Sequence, residues 1–160
     1  MNNMALSAHK ITTASGHRIN VHMAGTESSA TPLVCLHPIP HDGRFFGAAL
    51  TLLAADRKVL APDYPGYGKS SALTGTPTIA DYADVLIDAF SALATAANAG
   101  RQPIHLLGFH TGCLLAAELA LRNPDRIGKI VMIDVPLFSD ARRTELLRTT
   151  DKEDPSNTGF

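Results

Sequence analysis

Short apolar runs and longer stretches of three-to-four-residue apolar spacing alternate along this chain of 160 residues. Residues 9–14 and 17–23 instead alternate polar and apolar positions about Ser15-Gly16, which predicts a β-hairpin. The small, polar stretch 25–31 reads as a loop, and the continuous apolar run 32–36 as a strand covered on both faces. Phe46, Ala49, Leu50 and Leu53 then recur at helical spacing, and 58–62 gives another buried strand. Thr78 has the chemistry of an N-cap, with Asp81 three residues on as its reciprocal partner. Ile79, Tyr82, Leu86, Phe90, Leu93 and Ala97 mark one face of the helix that follows, with Gly100 as its stop. Residues 103–109 read as a strand, 114–121 as a run of good helix formers that ends at Asn123-Pro124, and 127–135 as a last apolar strand. Residues 142–148 begin a further helix, and from Thr149 the chain turns polar.

A hairpin followed by alternating strands and helices predicts an α/β fold. Its sheet is mainly parallel and twisted, has about six strands, carries helices on both faces, and uses right-handed crossovers. One core domain over residues 1–148 and a polar tail over 149–160 is the expected organisation. No internal repeat interrupts it.

Composition narrows the class. The chain is 45% apolar and 18% charged, with a formal net charge of -1, which fits a cored globular domain. No basic or acidic block suggests nucleic acid or an anionic membrane surface. Cys35 and Cys113 sit in apolar runs, as buried free thiols do in a reducing compartment. No charged leader precedes an apolar stretch, and no apolar run reaches the ~18 residues of a membrane span, so a soluble, cytoplasmic protein is expected.

Candidate chemistry concentrates at Gly108-Phe109-His110-Thr111-Gly112. A strand runs into Gly-x-Xaa-x-Gly and straight out into a helix, the layout of a nucleophile elbow. The two glycines let strand and helix pack closely, while the central side chain is forced out above the sheet beside free helical N–H groups. Here that residue is His110, where serine, cysteine or aspartate would be expected. Asp134 ends the next strand, where ligands gather in open α/β sheets; it reads either as a turn cap beside Pro136 or as an acid that orients an imidazole.

Other motifs carry less. Gly66-Tyr67-Gly68-Lys69-Ser70 ends like a phosphate loop, but Asp63 stands where the first glycine belongs, and Gly75 and Pro77 delay the helix. His37 and His41 beside Asp42 have metal-like spacing, but Pro38 and Pro40 break the segment and a third ligand is lacking. His9, His17 and His22 in the hairpin read as exposed, and His105 as a satisfied strand histidine. No metal and no cofactor are called for.

Taken together, residues 9–135 resemble the N-terminal half of an α/β-hydrolase-fold protein. The resemblance rests on Leu36-His37-Pro38-Ile39-Pro40 after the third strand, on Asp63-Tyr64-Pro65-Gly66-Tyr67-Gly68-Lys69-Ser70 after the fourth, on the elbow, and on Asn123-Pro124-Asp125-Arg126 closing its helix. It implies strand order 1-2-4-3-5-6 and an oxyanion hole built from the N–H groups of Ile39 and Thr111. It also implies a truncated fold, because the family's acid and histidine follow the elbow and no histidine follows His110 here. The function implied is hydrolase-like, on a small ester or lactone once completed, with this chain inactive as it stands. The alternatives are a non-catalytic binder of a small molecule or partner, or a truncated gene product. Self-association through the open edge of strand 127–135 is expected.

Overall fold

A computed structural model describes residues 6–26, 28–96 and 102–150, without the side chains of 95, 96 and 146–150. The helix stop expected at Gly100 and the tail from 151 onward lie outside the described residues. The strands are β1 (Ser7–Thr12), β2 (Arg18–Ala24), β3 (Leu33–Leu36), β4 (Val59–Pro62), β5 (Ile104–Phe109) and β6 (Ile127–Ile133). The helices are α1 (Gly47–Leu53), α2 (Ile79–Ala96), α3 (Thr111–Arg122) and α4 (Asp140–Thr150), and a 3-10 turn over Gly43–Phe46 leads into α1.

The strands form one mixed sheet in the order β1-β2-β4-β3-β5-β6. The hairpin is antiparallel, and β2 also runs antiparallel to β4, while β4, β3, β5 and β6 are mutually parallel. The elbow strand β5 is therefore internal, held on one side by β3 (Leu36 opposite Gly108) and on the other by β6 (Phe109 opposite Ile133).

The period-two alternation of strand side chains sorts the core into two layers. Val34, Leu36, Leu60, Ile104 and Leu106 point to the face covered by α2 and α3, where Ala83, Leu86, Ala89, Phe90, Leu115 and Leu119 meet them. Cys35, Val59 and Ala61 point the other way, onto Phe46 and Leu50, with Leu107 and Phe109 at the margin. Continuous apolar runs in β3 and β4 follow from this, since both faces of these strands are covered. The start of α2 is capped as its residue types predict: Thr78 N–H donates to Asp81 Oδ2 at 2.7 Å, and Asp81 N–H returns to Thr78 Oγ1 at 3.4 Å.

β6 is different. It has β5 on one side and, among the described residues, no strand on the other. Val131, Met132 and Ile133 are 51%, 40% and 44% exposed, and Leu137 and Phe138 just beyond are exposed too.

Candidate active site

A tight strand-to-helix turn forms where Gly108 and Gly112 place it. A Cβ on Gly112 would run into the carbonyl oxygen of Leu36, and one on Gly108 would lie 2.7 Å from the Gly112 oxygen and 2.8 Å from the Cys113 nitrogen. Without those methyl groups α3 starts directly against the ends of β3 and β5. Cys113 N–H closes the turn onto the His110 oxygen at 2.9 Å, and His110 N–H reaches the Ile133 oxygen of β6 at 2.9 Å.

The cost of this turn falls on His110. Its backbone sits at φ 49 and ψ -118, a region L-residues avoid at roughly 1–3 kcal/mol. Among the described residues the non-glycine positions with positive φ are His110 and Asp134 (φ 56). They stand at the C-terminal ends of the neighbouring strands β5 and β6, so backbone strain collects at one place on the sheet.

The His110 side chain is partly exposed and the Asp134 side chain exposed. No hydrogen bond or ion pair joins the imidazole to the Asp134 carboxylate, and none reaches either side chain from any other described residue. Asp134 thus has no turn-capping hydrogen bond either.

The loop after β3 meets the elbow through one contact. Ile39 N–H donates to Thr111 Oγ1 at 2.7 Å. Pro38 and Pro40 have no N–H, which leaves Ile39 as the backbone donor of this stretch. Thr111 is the first residue of α3, so its own N–H has no carbonyl within the helix to bond. The family resemblance implied both N–H groups in one pocket, and the sequence carried no signal that the Thr111 hydroxyl stands in front of the Ile39 donor.

The loop is held from below by buried polar groups. Tyr64 N–H donates to His37 Nε2 at 3.3 Å, which leaves the proton on Nδ1 to bond the Pro38 oxygen at 3.0 Å. Tyr64 OH donates to the His37 carbonyl at 2.8 Å, and the two rings stack with centroids 3.7 Å apart. Burial pushes the His37 imidazole below its ordinary pKa, in keeping with that neutral tautomer.

Asp63 is the second anchor, and its carboxylate accepts four hydrogen bonds. His22 Nε2–H and Gly43 N–H meet Oδ1 at 3.0 and 2.9 Å; Asn20 Nδ2–H and Lys69 N–H meet Oδ2 at 2.8 and 2.9 Å. This single residue ties β2, the 3-10 turn and the 66–70 turn to the end of β4. Gly68 follows from it, since a Cβ there would enter the Asp63 carboxylate. His22, expected to be exposed, is 7% exposed. Asp63 needed a donor from β2, and an imidazole on the inward face supplies one. His22, Asp42 and Asp63 bring possible ligand atoms within 4.8 Å of one another. Each Asp63 oxygen already accepts two hydrogen bonds and Asp42 is held by Arg44, so this donor set fits a structural clasp and not a metal. His105, the strand histidine, accepts Lys129 N–H at 3.0 Å.

A family model described as the alpha/beta hydrolase fold matches residues 31–154. The chain belongs to the α/β-hydrolase fold family. An uncharacterized hydrolase of Saccharomyces cerevisiae is 30% identical over 132 residues, 82% of this chain and 43% of the relative. A fluoroacetate dehalogenase of a Burkholderia species is 29% identical over 112 residues, 67% of this chain and 35% of that protein. A solved hydrolase from Pseudomonas aeruginosa shares the fold with a TM-score of 0.69 at 24% identity, covering 98% of this chain and 57% of the other. The chain thus spans about two fifths of the curated relatives' length. No described helix is long and apolar enough to cross a membrane.

Proposed function

We propose that this chain carries the carbonyl-binding part of a hydrolase-type site, for a small ester or lactone, and that it binds such a ligand without turning it over as it stands. The observation that carries the reading is the strained His110 at the elbow tip, with Ile39 and Thr111 joined beside it. Strain of this kind persists where the surrounding structure fixes a side chain for use. The acyl carbon would face the imidazole and the carbonyl oxygen would turn toward Thr111 and Ile39.

Hydrolysis through this site has a definite requirement. The neutral imidazole nitrogen would attack the carbonyl carbon, the oxyanion would collapse by expelling the alkoxide, and water would cleave the acyl-imidazole to the carboxylate and free imidazole. The attack itself moves no proton, but the departing alkoxide must gain one, the acylated ring must lose its other N–H proton, and the water must lose one. An acid or base beside His110 is therefore needed, and no described residue bonds its ring. Asp134, one strand away, is the nearest candidate by topology, to be drawn in when a ligand or further chain orders the site. Family membership does not choose the chemistry, since one relative is named a dehalogenase and one fold hosts many reactions. The choice of ester or lactone rests on the elbow and the paired donors. A purely binding role is favoured by one observation: among the described residues the His110 ring has no orienting partner.

Titration of 15N-labelled chain with γ-butyrolactone tests the site. Shifts are expected at the amides of Ile39, His110 and Thr111; shifts confined to α2 or the hairpin would remove the proposal. The edge of β6, uncovered among the described residues, supports a second expectation, that the chain pairs with another copy along that strand.

A further inference from the structure

The proposed carbonyl site contains a side chain in a position that a pair of backbone donors does not require. Ile39 N–H does not point at open space; at 2.7 Å it bonds Thr111 Oγ1. A hydroxyl has one proton to give and two lone pairs to receive with. Here one lone pair is engaged by Ile39, and among the described residues no acceptor takes the hydroxyl proton. Accepting a hydrogen bond polarises a hydroxyl and makes it a stronger donor.

We infer that the Thr111 hydroxyl is itself the ligand-contacting donor of this site, relaying the Ile39 N–H to the carbonyl oxygen of the bound ester or lactone. The inference rests on the site reading given above. The geometry favours a relay over displacement. For an oxygen to reach Ile39 N–H directly, Thr111 must rotate away and surrender a 2.7 Å bond, so displacement only exchanges one hydrogen bond for another, whereas the relay keeps it and adds the hydroxyl's own. In the relay, the ligand instead meets two donors from one residue, the Thr111 hydroxyl and the free N–H at the first position of α3. Both are neutral and fixed, so the site suits a planar carbonyl.

Two substitutions separate the roles. Thr111→Ser keeps the hydroxyl, and Thr111→Val keeps the shape and removes it. Each variant is titrated with γ-butyrolactone and followed at the Ile39 and residue-111 amides. Thr111→Ser should bind within about twofold of the parent, and Thr111→Val about fivefold to tenfold more weakly, the worth of one hydrogen bond. Equal or tighter binding by Thr111→Val would overturn the relay, because the hydroxyl would then be a plug over Ile39. That result would leave the site itself intact. An absence of elbow shifts in the parent chain would overturn the site and the relay together. The far-ultraviolet circular dichroism of each variant checks that the fold is kept. A Thr111→Val chain that does not fold leaves Thr111→Ser to decide: a serine that binds more than tenfold more weakly would overturn the relay.

Discussion

His110 carries a backbone conformation suited to glycine, which makes its strain measurable. At φ 49 and ψ -118 a side-chain-bearing residue is disfavoured by roughly 1–3 kcal/mol, and glycine is not. His110→Gly and His110→Ala both delete the imidazole, whose ring has no hydrogen bond to lose among the described residues. They differ in the backbone. Glycine relieves the strain but gives the unfolded chain about 0.5–1 kcal/mol more entropy to lose. His110 is also the N-cap of α3, a position where glycine is better tolerated than alanine. The balance is about 0.5–2 kcal/mol in favour of the glycine variant. Urea unfolding followed by circular dichroism at low micromolar protein reads it. With a slope of about 2 kcal/mol per molar, the glycine midpoint should lie ~0.25–1 M above that of alanine. An alanine variant as stable as the glycine one would show that the elbow is not strained, and would remove the observation on which the functional reading stands.

Other outcomes follow from the same structure. Burial pushes the Cys35 thiol up to about 12, so it stays protonated and unreactive in the folded chain. A disulfide reagent at pH 8 should modify Cys35 only after urea is added; fast modification of the native chain would contradict its burial. The edge of β6 that no described strand covers should make the chain self-associate, visible as dimers or larger species in light scattering. Val131→Lys, at a site already 51% exposed, should shift the mass toward the monomer, and an unassociated parent chain would refute the edge argument.

Much of the fold was legible because local spacing and burial agree. β3 and β4 read as buried runs because both faces are covered, and the α2 cap read correctly because Thr78 and Asp81 lie three residues apart in any context. The order of the sheet was read from a family resemblance, since nothing in the spacing alone says that β4 lies between β2 and β3. The tight turn from β5 into α3 was legible in its glycines, whose missing methyl groups make room for Leu36 and Cys113. What stayed hidden are contacts made across long separations. The Ile39–Thr111 bond joins positions 72 apart, and the His22–Asp63 bond spans 41, so an alternating hairpin pattern gave His22 no sign of its buried partner.

Among the described residues no side chain bonds the His110 ring as an activating base would. Release of p-nitrophenolate from p-nitrophenyl acetate, compared between the chain and its His110→Ala variant at pH 7.5, tests this most directly. The two rates should agree to within the contribution of one ordinary surface imidazole. Release at least tenfold faster in the parent, and lost on substitution, would contradict it, because His110 would then have a base already in place.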